Sequence, residues 1–191
     1  MIMKKAVFLD KDGTLVTDVP YNVDPALVQW EPDAIAALQL LRAHGYALIV
    51  VSNQSGIARG YFDETQLQKL ITGMHSVLHY NGLHLDGFYY CPHHPEGAVK
   101  AYAIHCSCRK PLPGMLQQAA RELDISLPSS WMVGDILNDV EAGNRAGCRT
   151  VLIDNGNETE WIMADYRTPA YKARNLADAA AYIISSTTAK N

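Results

Sequence analysis

The chain has 191 residues, and its 16 Lys and Arg against 20 Asp and Glu give a formal net charge of −4. This length suits one domain, the 48% hydrophobic share can bury a core, and the acidic balance argues against nucleic-acid binding. No apolar run approaches the roughly 20 residues that cross a bilayer, and the one after the basic N-terminus stops at Asp10, too early for a signal peptide. We therefore expect a cytoplasmic protein with neither nucleic-acid nor membrane partners.

Apolar runs and capping residues predict strands that alternate with helices along the chain. The predicted strands are 6–9, 47–51, 87–90, 131–133 and 150–153, and the predicted helices are 33–44, 63–80, 113–123, 140–146 and 175–185. Asp63 and Gln66, for example, form a capping box at the start of the second helix. This alternation predicts an α/β fold with a doubly wound parallel sheet, one domain over residues 1–191, and a frayed tail at 186–191.

Parallel sheets bind ligands at the carboxyl ends of their strands. The residues at four of these predicted ends are Asp10, Ser52, Cys91 and Asp135. After the first strand, Asp10-Lys11-Asp12-Gly13-Thr14 places two carboxylates two residues apart, where they can converge on one ion. Mg²⁺ prefers such oxygen ligands, although Asp and Gly also favour an ordinary solvated turn.

Three of the four cysteines lie close together in the irregular segment 91–111. Cys91-x-His93 and Cys106-x-Cys108 form a Cys₃His set, which in a reducing compartment indicates a closed, structural zinc site. A metal clip would offset the ordering entropy of this long loop, and it would position Lys110. His94 and His105 are alternative ligands that spacing does not exclude. Free thiols are the other interpretation, and Cys148 is expected to be a packed thiol.

Taken together, the strand-end motifs resemble those of the haloacid dehalogenase-like (HAD) phosphatases. The first motif of that family is D-x-D-G-T, as in residues 10–14. Ser52-Asn53 is similar to the second motif, Lys110 in Cys108-Arg109-Lys110-Pro111 to the third, and Gly134-Asp135 with Asp139 to the fourth. The motifs occur in order over residues 10–139, and the resemblance implies a HAD-like Rossmannoid fold.

The resemblance also implies a role for each motif residue. Asp10 would be the nucleophile that forms an aspartyl-phosphate, and Asp12 the general acid and base. Mg²⁺ would be bound by the side chains of Asp10 and Asp135 and by the backbone carbonyl of Asp12. The groups expected to donate to the phosphoryl oxygens are Ser52, the Asn53 amide and Lys110. Asp139 is expected either to cap the following helix or to orient Asp135.

Further stretches resemble the HAD subgroup that contains heptose 1,7-bisphosphate and histidinol-phosphate phosphatases. The stretches 52–60, 89–95 and 109–115 look closer to the heptose enzymes, and this resemblance adds Gln54 and Ser55 to the expected substrate-binding residues. Asp18 to Tyr21 resembles a segment that contacts sugar hydroxyls in those enzymes. Ile136, however, stands where they often carry lysine. The expected reaction is therefore the removal of the 7-phosphate from a heptose bisphosphate. The alternative substrate is histidinol phosphate or another small phosphomonoester.

The spacing of the motifs leaves no room for a separate cap domain, so we expect an open cleft bordered by loops 15–31, 54–62 and 91–110. Arg59 and Arg109 lie on two of these loops, and guanidinium groups bind a second phosphate well. A non-enzymatic phosphoacceptor module of the receiver type is a remote alternative, because the predicted zinc-binding loop would have no role in such a module. We expect a monomer, although nothing in the sequence determines the oligomeric state.

Overall fold

The structure is a computed structural model that describes residues 3–188. Its strands are β1 (Ala6–Leu9), β2 (Ala47–Asn53), β3 (Gly87–Cys91), β4 (Trp131–Gly134), β5 (Arg149–Ile153) and β6 (Tyr171–Ala173). They form one sheet in the order β3-β2-β1-β4-β5-β6, and every neighbouring pair is parallel. The predicted parallel α/β sheet is confirmed.

Helices cover both faces of this sheet. They are α1 (Ala34–Ala43), α2 (Gly56–Arg59), α3 (Glu64–Tyr80), α4 (Gly114–Leu123), α5 (Leu137–Ala146) and α6 (Leu176–Thr188). Strand side chains alternate between the faces, so Val7 and Leu9 pack with α1, α3 and α6, whereas Phe8 packs with α4 and α5. None of the helices formed by residues 3–188 has both the length and the apolar composition that a bilayer crossing requires.

Several boundaries differ from the sequence predictions. Strand β2 continues through Ser52 and Asn53, beyond its predicted end. Helix α2 and strand β6 were not predicted, because each has too few residues to show a hydrophobic periodicity. Helix α5 begins three residues earlier than predicted, because the Glu158 carboxylate accepts a hydrogen bond from Leu137 N at 2.7 Å. That contact spans 21 residues and is invisible to a local pattern.

The predicted frayed tail begins at residue 186, whereas helix α6 continues to Thr188. Ser186 supports this last turn, because its hydroxyl donates to the Ile183 carbonyl at 2.9 Å and accepts from Arg149 at 3.4 Å. Residues 189–191 of the predicted tail lie outside the described residues.

The strand order places the predicted site at the centre of the sheet. Strand β1 lies between β2 and β4, so the residues that follow or end these three strands meet at one edge. They are Asp10, Ser52 and Asp135. Their convergence follows from the topology of the parallel sheet and needs no bound ligand.

Candidate active site

An open cleft of about 340 Å³ lies at the carboxyl edge of β1, β2 and β4. The predicted catalytic and Mg²⁺ residues all line it: Asp10, Asp12, Ser52, Lys110 and Asp135. So do five of the predicted substrate residues, namely Asp18, Tyr21, Asn53, Gln54 and Ser55. All strands in residues 3–188 belong to the one sheet, so the cleft is bordered by loops and helices rather than by a second sheet.

The ammonium group of Lys110 contacts three groups in this cleft. Its ammonium group lies 2.7 Å from Asp10 Oδ1, 2.6 Å from Asp139 Oδ1 and 2.9 Å from the Val51 carbonyl, which accepts a hydrogen bond from it. Burial alone would lower the pKa of Lys110, but the two carboxylates outweigh it and raise that pKa above its usual value. The lysine therefore stays charged and can bind an anion beside Asp10.

Asp139 is fully buried and does more than cap its helix. One carboxylate oxygen pairs with Lys110, and the other accepts a hydrogen bond from Ile136 N at 3.3 Å. Gly134 permits this approach, because any β-carbon there would overlap the Asp139 carboxylate. Asp139 thus links the third and fourth sequence motifs through Lys110.

Three carboxylates form a group that could hold a cation. Asp10, Asp135 and Asp139 offer oxygen atoms that all lie within 4.8 Å of one another. Burial, and then the negative charges of Asp10 and Asp139, raise the pKa of Asp135 to about 8. The group carries more negative charge than Lys110 neutralises, and its hard oxygen donors suit Mg²⁺.

Asp12 lines the same cleft as Asp10 and Asp135. Its carboxylate contacts the ammonium of Lys11, a nearly buried side chain that the sequence analysis did not assign to the site. Burial raises the pKa of Asp12, while the positive charge of Lys11 opposes that rise. A raised pKa favours the protonated carboxyl group that a general acid needs.

Gly13 brings the β1 loop against the β4 loop. Its φ of +73° lies in the left-handed region, and a β-carbon there would overlap the Asp135 carboxylate and the Asn157 amide. The position therefore requires glycine both for its backbone conformation and for space. This explains the glycine in the first motif without reference to any substrate.

The side chains that follow β2 have different partners. Gln54 Nε2 donates to Ser52 Oγ at 2.8 Å, which leaves the serine hydroxyl hydrogen free to donate to another acceptor. Asn53 instead pairs with the backbone of Lys110, donating to its carbonyl at 3.1 Å and accepting from its amide at 3.0 Å. The Asn53 side chain therefore holds Lys110 in place.

The two predicted phosphate-binding arginines do not line the cleft. Arg59 lies 3.2 Å from His94 Nε2, and Arg109 donates to the His93 carbonyl at 3.3 Å. Burial, and then the positive charges of Arg109 and Arg59, lower the pKa of His94. These three side chains therefore form a separate basic group beside the Cys/His loop.

The predicted zinc ligands lie together in that loop. Cys91, His93, Cys106 and Cys108 offer ligand atoms within 4.8 Å of one another, and their sulfurs are 3.1–3.5 Å apart. A tetrahedron with Zn–S bonds of about 2.3 Å would place sulfurs about 3.8 Å apart. Hydrogen bonding from Cys91 lowers the pKa of Cys108 to about 5, which favours the metal-binding thiolate.

The alternative histidines are outside this group. His94 uses its ring nitrogens for Arg59 and for the Glu96 backbone amide, and His105 is exposed. Cys148 is a buried thiol, as expected, and is not part of this group of ligand atoms; burial raises its pKa to about 12. Among the residues described, the geometry therefore favours His93 as the nitrogen ligand.

The sequence analysis missed the contribution of the loop after β5. Asn157 lines the cleft and donates to Asp135, and Asn155 donates to the Gly13 carbonyl at 2.9 Å. The loop is exposed and shows no hydrophobic period. The one feature of the sequence that could have indicated a role for this loop in the site was its position at the carboxyl end of a predicted strand.

Comparisons with known proteins agree with this geometry. A family model described as HAD-hydrolase-like matches residues 107–179, which include the third and fourth motifs. The D-glycero-beta-D-manno-heptose-1,7-bisphosphate 7-phosphatase of Pasteurella multocida (strain Pm70) is 51% identical over 92% of this chain and 95% of its own length. The protein of the same name from Escherichia coli (strain K12) is 42% identical over 83% of this chain and 87% of its length.

A solved structure is also similar along the whole chain. It is the D,D-heptose 1,7-bisphosphate phosphatase from B. bronchiseptica complexed with magnesium and phosphate, with a TM-score of 0.78 and 30% identity. The match covers 95% of this chain and 99% of that one. Both fold and sequence are therefore shared over nearly the full length.

Proposed function

The chain belongs to the haloacid dehalogenase-like family of phosphatases, and we propose that it removes the 7-phosphate of D-glycero-β-D-manno-heptose 1,7-bisphosphate. The reaction proceeds through an aspartyl-phosphate and depends on Mg²⁺. The observation that carries this proposal is the position of Asp10, whose carboxylate is held by Lys110 at 2.7 Å in a cleft shared with Ser52 and Asp135.

The chain's own residues supply the steps of the proposed reaction. Asp10 attacks phosphorus as the ester bond to the sugar breaks, and Asp12 transfers its proton to the departing oxygen. The Asp12 carboxylate then takes a proton from the water that hydrolyses the aspartyl-phosphate. Ser52 and Lys110 donate hydrogen bonds to the phosphoryl oxygens, where negative charge must be stabilised.

Asp10, Asp135 and the backbone carbonyl of Asp12 are the proposed Mg²⁺ ligands. When bound, this ion neutralises charge on the phosphoryl group and on the attacking carboxylate. The donor set supports the assignment, because Asp135 is a buried carboxylate that forms no ion pair with a lysine or arginine within residues 3–188. The similar structure from B. bronchiseptica, described as complexed with magnesium and phosphate, gives further support.

Zn²⁺ is the proposed ion for the cluster of Cys91, His93, Cys106 and Cys108. All four ligand positions of a tetrahedron would come from protein, which leaves none for substrate, so the role is structural. We further propose a cytoplasmic enzyme of carbohydrate metabolism that acts as a monomer. The free cysteines suit a reducing compartment, and one chain supplies every residue assigned to the cleft.

The names of the relatives support a heptose bisphosphate over histidinol phosphate as the substrate. The basic group formed by Arg59, His94 and Arg109 is the proposed site for the second phosphate, and its Arg109 directly precedes Lys110 in the sequence. A guanidinium binds phosphate bidentately, so this group would select a substrate with two anionic ends.

A comparison of substrates tests the proposal directly. The kcat/KM values would be measured with Mg²⁺ for the β and α anomers of heptose 1,7-bisphosphate, for histidinol phosphate and for fructose 1,6-bisphosphate. We expect the β-heptose bisphosphate to have the highest value and the phosphate to be released from C7. A higher value for histidinol phosphate would contradict the proposed substrate but would leave the Asp10 chemistry standing.

A further inference from the structure

The loop that follows β5 reaches into the cleft through one hydrogen bond. Asn157 Nδ2 donates to Asp135 Oδ2 at 2.7 Å, and both side chains line the cavity. The acceptor is only 5% exposed and is the carboxylate whose pKa is raised by burial and by its acidic neighbours. Asn157, which lies outside the family's four sequence motifs, thus makes a polar contact with a proposed Mg²⁺ ligand.

The direction of this contact is fixed by chemistry. The ionised carboxylate that binds a cation can only accept, so in that form the Asn157 amide nitrogen is the group that faces Asp135. In the same loop, Asn157 N donates to Asn155 Oδ1 at 3.2 Å, and Asn155 Nδ2 donates to the Gly13 carbonyl at 2.9 Å. The two asparagines therefore tie the β5 loop to the loops after both β1 and β4.

Gly13 makes this arrangement tight. A side chain at that position would overlap both the Asp135 carboxylate and the Asn157 amide, so the hydrogen bond lies directly against the glycine backbone. The Asp135 carboxylate is consequently confined between the β1 loop and the β5 loop. Rotation of this carboxylate would require breaking the contact with Asn157.

We propose that Asn157 is a positioning residue that holds Asp135 Oδ2 and thereby orients the other oxygen of this carboxylate towards Mg²⁺. The inference rests on the proposed function, which supplies the metal. An amide suits this role because it stabilises the ionised carboxylate without adding a positive charge that would repel a cation. Asp10 differs, since its partner is the charged Lys110.

The test is a calorimetric titration of chelator-treated, dialysed protein with MgCl₂ alone. Asn157→Leu removes the donor at similar size, and we expect it to raise the Kd for Mg²⁺ by about 10- to 100-fold, as loss of a contact to a metal ligand commonly does. Asn144→Ala is the matched control. Asn144 holds residues 166 and 168 of the same segment through their carbonyls, away from the cleft.

A second measurement separates positioning from a general structural effect. The Tm of metal-free Asn157→Leu should equal that of the parent, because Asn157 is exposed, whereas the rise in Tm caused by Mg²⁺ should shrink. Asn157→Ala should behave in the same way, and its result is decisive if the leucine variant does not fold.

The outcomes distinguish this inference from the proposed function. If the parent binds Mg²⁺ and both Asn157 variants bind it with the same Kd, the positioning role is wrong and the phosphatase proposal stands. An equal loss of affinity in Asn144→Ala would also overturn the inference, because the effect would then come from the segment as a whole. If the parent itself binds no Mg²⁺, the metal dependence of the proposed function fails as well.

Discussion

Two clusters of side chains in the molecule could hold metal ions, and different parts of the fold position them. The acidic cluster of Asp10, Asp135 and Asp139 lies at the edge of a buried sheet and is partly neutralised by the buried Lys110. The Cys/His cluster lies in the irregular segment between β3 and α4. The sheet therefore builds the first cluster before any ion binds, whereas we propose that the second needs a bound ion to order its loop.

The two clusters nevertheless meet at one segment. Cys108 precedes Lys110 by two residues, and Asn53 of β2 holds the backbone of Lys110 through two hydrogen bonds. Lys110 is thus positioned from one side by the sheet and from the other by the Cys/His cluster. Variants that affect only the acidic cluster should alter mainly catalysis, whereas variants that affect only the Cys/His cluster should alter mainly stability.

The largest effect is expected for Asp10→Asn. Loss of the attacking carboxylate should lower kcat by about 10⁴-fold or more. The fold should persist, because Lys110 retains its ion pair with Asp139. Steady-state kinetics with a phosphate ester, together with circular dichroism, would check both statements. Turnover at the parent rate would mean that another group attacks phosphorus.

Breaking the Cys/His cluster should act mainly on stability. Cys106→Ala should abolish zinc binding and lower the Tm by about 10 °C or more, since loss of a structural metal removes several kcal/mol. Elemental analysis and thermal unfolding provide the measurements. Cys148→Ala removes a buried thiol outside the cluster and should keep its zinc. If the purified parent protein contains no zinc, the proposed structural role of zinc in this loop is wrong.

The acidic cluster predicts a pH dependence of stability opposite in sign to that of Cys108, whose lowered pKa favours the folded state as the pH rises. The pKa of Asp135 is raised from 3.8 to about 8, so the folded metal-free protein holds a proton that the unfolded chain releases. Its contribution to stability is full below pH 3.8 and is lost as the pH rises through about 8. The contribution of Asp135 to the free energy of unfolding should therefore fall between about pH 5 and pH 8 by a few kcal/mol.

Chemical denaturation in chelator and in MgCl₂ would measure this dependence. Mg²⁺ should restore more stability at pH 8 than at pH 5, because the cation takes the place of the proton. Asp135→Asn should remove this contribution, so the metal-free stability of the parent should fall relative to that of the variant from pH 5 to pH 8. The same pH dependence in parent and variant would contradict the charge balance described for this cluster.

The smallest effect is expected where the Cys/His loop meets the substrate. Arg109→Ala should reduce kcat/KM about tenfold more for the heptose bisphosphate than for an aryl phosphate, since only the former has a second phosphate. Arg121→Ala on the exposed face of α4 is the control. Equal losses on both substrates would show that Arg109 does not bind the second phosphate.

The sequence predicts most of the fold and the acidic cluster because both follow from local signals. Buried strands are continuous apolar runs, and polar residues at their ends mark the functional edge of the sheet, as at Asp10 and Asp135. The grouping of Cys91, His93, Cys106 and Cys108 could be predicted because the spacing of these residues is typical of a metal site. The choice of His93 over His94 needed the contact between His94 and Arg59.

Features that depend on distant contacts were not predictable. The start of α5 depends on Glu158, and the role of Asn157 depends on its contact with Asp135 across 22 residues. The side chains of Arg59 and Arg109 were expected at the cleft, but they contact His94 and the His93 carbonyl instead. A long side chain on a loop has many possible partners, and sequence position alone does not select among them.

The central claim is that the Asp10 carboxylate becomes esterified to phosphorus during turnover. Rapid acid quenching of the enzyme with Mg²⁺ and substrate, followed by peptide mass spectrometry, measures this directly. We predict that the peptide with residues 10–14 gains the mass of one phosphoryl group on Asp10, and that Asp10→Asn shows no such gain. A phosphoryl group on any other residue, or turnover with no phosphorylated peptide at any quench time, would contradict the account.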